Sequence, residues 1–151
     1  MTVTVNFAAV ANSIAGLTVS GVTMRDIDQI PDAADMIYPV MFPQPNNFIT
    51  DISPVFQSFG SNGTAKIDMS YTLNYVYIHA PAGSGISAFD SYSGLITNLA
   101  AIMVTMLSND VLTGAIDNIP QAITAIDVIE DPAGNSYWGA LLSYRILELV
   151  N

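Results

Sequence analysis

In the segment Ala65-Lys-Ile-Asp-Met-Ser-Tyr-Thr-Leu-Asn-Tyr-Val-Tyr-Ile-His79, apolar and polar residues alternate strictly. Ile67, Met69, Tyr71, Leu73, Tyr75 and Tyr77 fall on one side, and Lys66, Asp68, Ser70, Thr72 and Asn74 on the other. A side-chain period of two is the pattern of a β-strand with one face in a core and the other in water. At Val76 and Ile78 the polar side turns apolar too, so something has to cover that end: another element of the chain, or another subunit. The strand is expected to be the longest and most central of its sheet, with Tyr71, Leu73 and Tyr75 facing a long helix.

That helix follows in the chain. After the loop Ala80-Pro-Ala-Gly-Ser-Gly85, residues 86–107 place Phe89, Leu95, Leu99, Ile102, Met103 and Met106 on one broad side, and Ser108-Asn-Asp110 ends the run. Residues 111–120 read as irregular or as a short helical turn. Residues 122–129 and 137–149 read as two strands, joined by Asp131-Pro-Ala-Gly-Asn135, which has the chemistry of a hairpin turn. Upstream, Phe7, Val10, Ile14 and Leu17 share one face of a helix over residues 4–15, stopped at Gly16. Residues 19–24 look extended, and residues 26–35 are an acidic loop or turn with Pro31. Residues 36–42 lean towards a strand, but Pro39 restricts them to an edge or a bulge. Pro43-Gln-Pro-Asn-Asn47 is a break, residues 48–57 are a strand interrupted by Pro54, and Gly60-Ser-Asn-Gly63 is a turn. No repeat, low-complexity tract or linker divides the 151 residues, so 1–151 are read as one domain. The element order predicts an α+β fold: an antiparallel or mixed β-sheet with an N-terminal helix and one long helix packed on one face.

Composition excludes several classes of function. Apolar residues make up 51% and charged residues 11%, against about 25% charged in a typical domain, so the chain has ample material for a core and is not disordered. Three basic residues, Arg25, Lys66 and Arg145, stand against 13 acidic ones, for a net charge of −10. A nucleic-acid reader neutralises phosphates with Lys and Arg, and this balance has the wrong sign. With no Cys, disulfides, thiolate metal sites and a Cys nucleophile are excluded. No basic residue precedes Arg25, so the start lacks the positive region of a signal peptide. The most apolar helical run, Leu99 to Leu107, is well short of the roughly 20 residues that cross a bilayer. A soluble protein with no membrane partner is expected; a bacterial cytoplasm and a viral particle both fit.

The search for chemistry returns only weak signals. Gly83-Ser84-Gly85 before a helix hints at a phosphate cradle, but no Gly-Lys-Ser/Thr follows and no G-x-G-x-x-G exists. His79 is the sole imidazole, without a G-x-S-x-G elbow, and reads as a strand-end residue at the sheet rim. One His and no Cys cannot build a zinc site. Asp26, Asp28, Asp32 and Asp35 could offer oxygens to a hard cation, but Ile30 and Pro31 stand where an EF-hand needs a ligand and a sharp-turn Gly. They are read as a solvated or interface loop, as are Asp127, Glu130 and Asp131 at the hairpin. Asn62-Gly63-Thr64 matches a glycosylation acceptor but reads as a tight turn. No catalytic, cofactor-binding or metal-ligating residue is assigned, no cofactor is expected, and the chain is not expected to be an enzyme.

The positive signal is surplus hydrophobicity. A mean hydropathy of +0.44 is high for a free monomer of this size, and apolar surface beyond a core's capacity meets partners. Val76 and Ile78, together with the apolar terminal strand (Leu141, Leu142, Ile146, Leu147, Leu149), are the candidate apolar interface. The Pro- and acid-rich breaks are candidate interface loops, with Asp26, Asp28, Asp32 and Asp35 in one, Pro43, Pro45, Asn46 and Asn47 in a second, and Pro81 and Ser84 in a third.

Six segments carry a resemblance: Pro39-Val-Met-Phe-Pro-Gln-Pro, Phe56-Gln-Ser-Phe-Gly-Ser, Tyr71-Thr-Leu-Asn-Tyr, His79-Ala-Pro-Ala-Gly-Ser-Gly, Asp131-Pro-Ala-Gly-Asn and Leu147-Glu-Leu-Val-Asn. None is a catalytic signature. In their order and spacing the chain resembles bacteriophage neck and tail proteins, and its element order resembles the tail terminator (tail completion) proteins of long-tailed phages. The resemblance implies a structural virion protein: an α+β subunit of a homo-oligomeric ring, expected to be hexameric. Such a ring sits at the head–tail junction, terminates the tail tube and joins it to the head-side connector or adaptor protein. It also implies assembly in the host cytoplasm, residence in the virion, and DNA that passes the lumen without specific binding. The alternatives are another neck or tube-associated phage protein, a small-molecule-binding module, an enzyme using His79, or a secreted surface-layer protein.

Overall fold

The structure, a computed structural model, describes residues 5–31, 36–59, 65–82, 88–108, 117–130 and 134–149. The alternating segment becomes β4 (Ala65–Pro81), at 17 residues the longest strand. It lies inside a mixed sheet whose other members are β1 (Thr23–Met24), β2 (Val40–Pro43), β3 (Ile49–Phe59), β5 (Asp117–Glu130) and β6 (Ser136–Leu149). The strand order is β1-β2-β4-β6-β5, with β3 also on β4; among the described residues the β1–β2 pair is parallel and the other pairs are antiparallel. The fold is α+β, as the element order predicts.

One edge of β4 pairs with β6 from Asp68 to Pro81. The other is shared: β3 takes Ala65 to Leu73, and β2 takes Tyr75 to Ile78. Asn74 stands at the changeover and ties down the connection between β2 and β3. Its carbonyl accepts from the Gln44 N–H (3.0 Å), and its own N–H donates to the Phe48 carbonyl (2.8 Å). Its Nδ2 donates to the Asn47 carbonyl (2.8 Å) and to Thr50 Oγ1 (2.9 Å). Asn47 adopts φ 60°, a left-handed conformation that Asn tolerates better than most residues.

Two helices, α1 (Phe7–Ala15) and α2 (Ala88–Ser108), cover one face of the sheet. Val10 and Ile14 of α1, and Leu95, Leu99, Ile102 and Met106 of α2, join the odd residues of β4 (Tyr71, Leu73, Tyr75, Tyr77) and the even residues of β6 (Ala140, Leu142, Tyr144, Ile146) in one core. The 3.6-residue period of the helices thus meets the two-residue period of the strands. Each large apolar side chain buried there contributes roughly 1.5–3 kcal/mol. The Tyr75 ring meets both Phe48 and Tyr144 edge-on, with centroids 5.6 Å apart in each pair. Where β4 bulges between Ile78 and Ala80, β6 comes so close that a Cβ on Gly139 would collide with the Tyr77 carbonyl oxygen.

Several expected boundaries shift. Asn6 is outside α1, which begins at Phe7 rather than at residue 4. Residues 49–57 of the expected 48–57 belong to a continuous β3 that keeps Pro54 by bulging on either side of it, between Thr50 and Ser53 and between Pro54 and Phe56. Pro39 precedes β2, which lies between β1 and β4 rather than at an edge. Residues 117–120 are not irregular: they extend the hairpin strand β5 and pair with β6 across Pro120, beside a register shift.

Candidate assembly surfaces

The sheet face away from the helices is divided in two. On its apolar half Val40, Phe42, Val76, Ile78 and Tyr137 form a second cluster, against which Ile30, Met36, Ile129 and Leu141 pack. Val76 and Ile78, expected as an open apolar interface, are only 6% and 1% exposed. Ile30 of the acidic segment, Met36 just after it, Ile129 and Leu141 pack on the cluster that holds them, so the cover is the chain itself. The terminal strand does not present one apolar face either. Leu142 and Ile146 point into the helix-side core, whereas Leu141 packs on the opposite cluster, as strand alternation requires.

The other half of this face is polar. Ser70, Thr72 and Asn74 of β4 lie beside Ser143 and Arg145 of β6, with Thr72 directly opposite Arg145. Ser143 Oγ donates to Asn74 Oδ1 (2.9 Å), and Arg145 Nε donates to Ser70 Oγ (2.8 Å). Asp51, Ser53, Ser70, Thr72 and Arg145 line a cup of about 300 Å³. Asp51 sits in the first bulge of β3 at φ 56°.

The helix side carries the larger surprise. Beyond its core-facing stripe, α2 exposes Ile96, Val104 and Leu107, at 54%, 62% and 63%, with exposed Ala100 between them. Their spacing of three and four residues sets them on one line along the helix, and no charged residue occurs from Tyr92 to Ser108. This second apolar set has the same helical period as the core stripe, so periodicity alone does not tell the buried set from the exposed one.

The expected interface loops behave differently from one another. Asp26 is tied inward: its carboxylate accepts from the Ile27 N–H (2.7 Å) and from Asn12 Nδ2 of α1 (3.0 Å), and Gln29 reaches back to its N–H. It caps a 3-10 turn over Ile27–Gln29. Asp28, on that turn, is exposed, and so are Pro45, Asn46 and Asn47. Pro43, expected in a projecting loop, is instead the buried last residue of β2, opposite Tyr75. Pro81, likewise expected in a loop, is the last residue of β4, opposite Tyr137. Asp32, Asp35 and Ser84 lie outside the described residues, as do the turn at residues 60–63 and Asp131. Among the described residues no three His, Asp or Glu side chains gather as metal ligands, and no helix is long and apolar enough to cross a membrane.

His79 lies on the helix side, so close over α2 that a Cβ on Gly94 would stand 2.9 Å from its Nε2. Asn98 Nδ2 donates to Tyr77 Oη (2.8 Å), and Tyr77 Oη and His79 Nδ1 share a hydrogen bond (2.8 Å). Burial pushes the Tyr77 phenol up to about 12, opposed by the Asn98 hydrogen bond, and burial pulls the His79 imidazole below its ordinary value. The network holds a neutral His79 between strand and helix.

One polar group escaped the sequence reading. Glu148 is fully buried; it accepts from the Asn6 N–H (2.8 Å) and from the Tyr71 hydroxyl. Asn6 is the N-cap of α1, whose first turn has neither a side-chain cap nor an acidic residue. A carboxylate from the last strand therefore meets the positive end of that helix. Burial first, then the bonded carboxylate, push the Tyr71 phenol far above its ordinary value. The signal was present: the inward series at 140, 142, 144 and 146 continues to 148. Against known proteins, the chain matches no family model and no characterised sequence.

Proposed function

We propose that this chain is the repeating subunit of a structural ring at the head–tail junction of a tailed bacteriophage, closing the tail tube and joining it to the head-side connector. The observation that carries the reading is the uncharged apolar line on α2. Two copies, each with a net charge of −10, can meet there without bringing carboxylates together, and water gains by their meeting. The order and spacing of the six resembling segments supply the station in the particle. A lumen of this charge lets DNA slide past. The Tyr77–His79–Asn98 network, which holds the imidazole by its Nδ1, favours a packing role for His79 over a catalytic one.

The test is light scattering on the purified protein, with Val104→Asp beside the wild type. Val104 is exposed, so the variant is expected to fold while its assembly falls apart. A wild type that stays monomeric at high micromolar concentration overturns the ring. Labelling the subunit in intact particles checks its station: a signal at the neck supports it, and a signal elsewhere moves the protein to another role.

A further inference from the structure

We infer that the cup around Arg145 receives a carboxylate from a second copy of this chain; this rests on the self-assembling reading above. Arg145 is exposed on the open polar half of the sheet, yet its guanidinium is anchored. Nε donates to Ser70 Oγ at 2.8 Å, and Ser70 itself is only 3% exposed. The two terminal nitrogens remain, and among the described residues no carboxylate forms an ion pair with them. A guanidinium held by Nε presents a planar fork that matches one carboxylate through two parallel hydrogen bonds. Around it the hydroxyls of Ser53, Ser70 and Thr72 line the same cup, ready to bond whatever that carboxylate leaves unsatisfied.

The identity of the occupant follows from charge. Each copy carries 13 acidic residues against three basic ones, so an assembly of copies surrounds every cup with carboxylates. Asp51 on the rim disfavours a multiply charged ion such as phosphate, and a single carboxylate suits the fork better. Among the described residues outside the cup, Asp28 and Glu130 are exposed carboxylates able to supply it.

The experiment uses the full chain in three forms: wild type, Arg145→Gln and Arg145→Lys. Light scattering over a dilution series is expected to show the Gln variant associating about tenfold more weakly with an unchanged thermal transition, and the Lys variant in between. For the second readout, isotope-labelled and unlabelled copies of the Lys variant are mixed and treated with a carbodiimide, which joins an amine to a carboxylate in contact with it. Linked peptides of mixed isotope from position 145 support the inference. A multimeric wild type whose Lys variant links only within one copy, to Asp51, overturns it while leaving the ring intact. An Arg145→Gln protein that assembles as the wild type does has the same effect. A monomeric wild type overturns the ring and this contact together.

Discussion

Glu148 shows how much one side chain can decide. A buried carboxylate without a cation is costly unless its oxygens are hydrogen-bonded, and here the Asn6 N–H and the Tyr71 hydroxyl serve that purpose. Glu148→Gln keeps one acceptor oxygen for two donors, so the buried Tyr71 hydroxyl proton loses its acceptor, and the change is expected to lower stability by about 1–3 kcal/mol in urea unfolding. Tyr71→Phe should cost a similar amount. Combined, the two should fall short of additivity, with a coupling of about 0.5–3 kcal/mol; strict additivity would mean that the pair does not interact in solution. His79 gives a pH test. Its imidazole is held below the ordinary value by burial, so below about pH 6.5 the unfolded chain takes up the proton more readily than the folded one. The stability it contributes is complete above that pH and is lost as the pH falls towards the depressed folded value. A urea midpoint measured from pH 8 to pH 5 should carry this slope, and His79→Gln should remove its share.

At the scale of elements, the close approach of β4 and β6 is the sharpest constraint. Gly139→Ala places a methyl against the Tyr77 carbonyl and Ile129, and is expected to cost about 1–3 kcal/mol through forced backbone shift; an unchanged melting temperature would show that the bulge can relax. The strand β4 was legible in the sequence because it alternates strictly, and so were the hairpin of β5 and β6 and the core stripe of α2. What escaped has physical reasons. Val76 and Ile78 announced a cover, but alternation along one strand cannot say which part of the chain supplies it, and Ile30, Met36, Ile129 and Leu141 do so. Pro43 and Pro81 looked like loop residues because proline donates nothing to a ladder, yet both stand at strand ends, where that loss is tolerated. Pro54 looked like an interruption, and two bulges absorbed it. The Arg145 cup was invisible because it needs β3, β4 and β6 side by side.

For the whole molecule, the two faces of the sheet set the possibilities for assembly: an apolar line on the helix side, a polar cup on the other. The connection after β2 is the site for a test in particles. Pro45, Asn46 and Asn47 are exposed, whereas Asn74 holds the loop ends. A short charged insertion between Pro45 and Asn46 is therefore expected to leave the fold intact, and under the proposed neck role to reduce the joining of heads to tails. Normal particle yield would deny that loop any joining role. The bond between Asn6 and Glu148 spans 142 positions of sequence, and it carries a consequence for vectorial synthesis. As the chain leaves the ribosome, α1 emerges early but meets its fastening only when the last strand appears. Until then Val10 and Ile14 have no finished sheet to rest on, and the nascent helix is a natural client for a holding chaperone. Any contact made through the finished sheet therefore waits until β6 has been made.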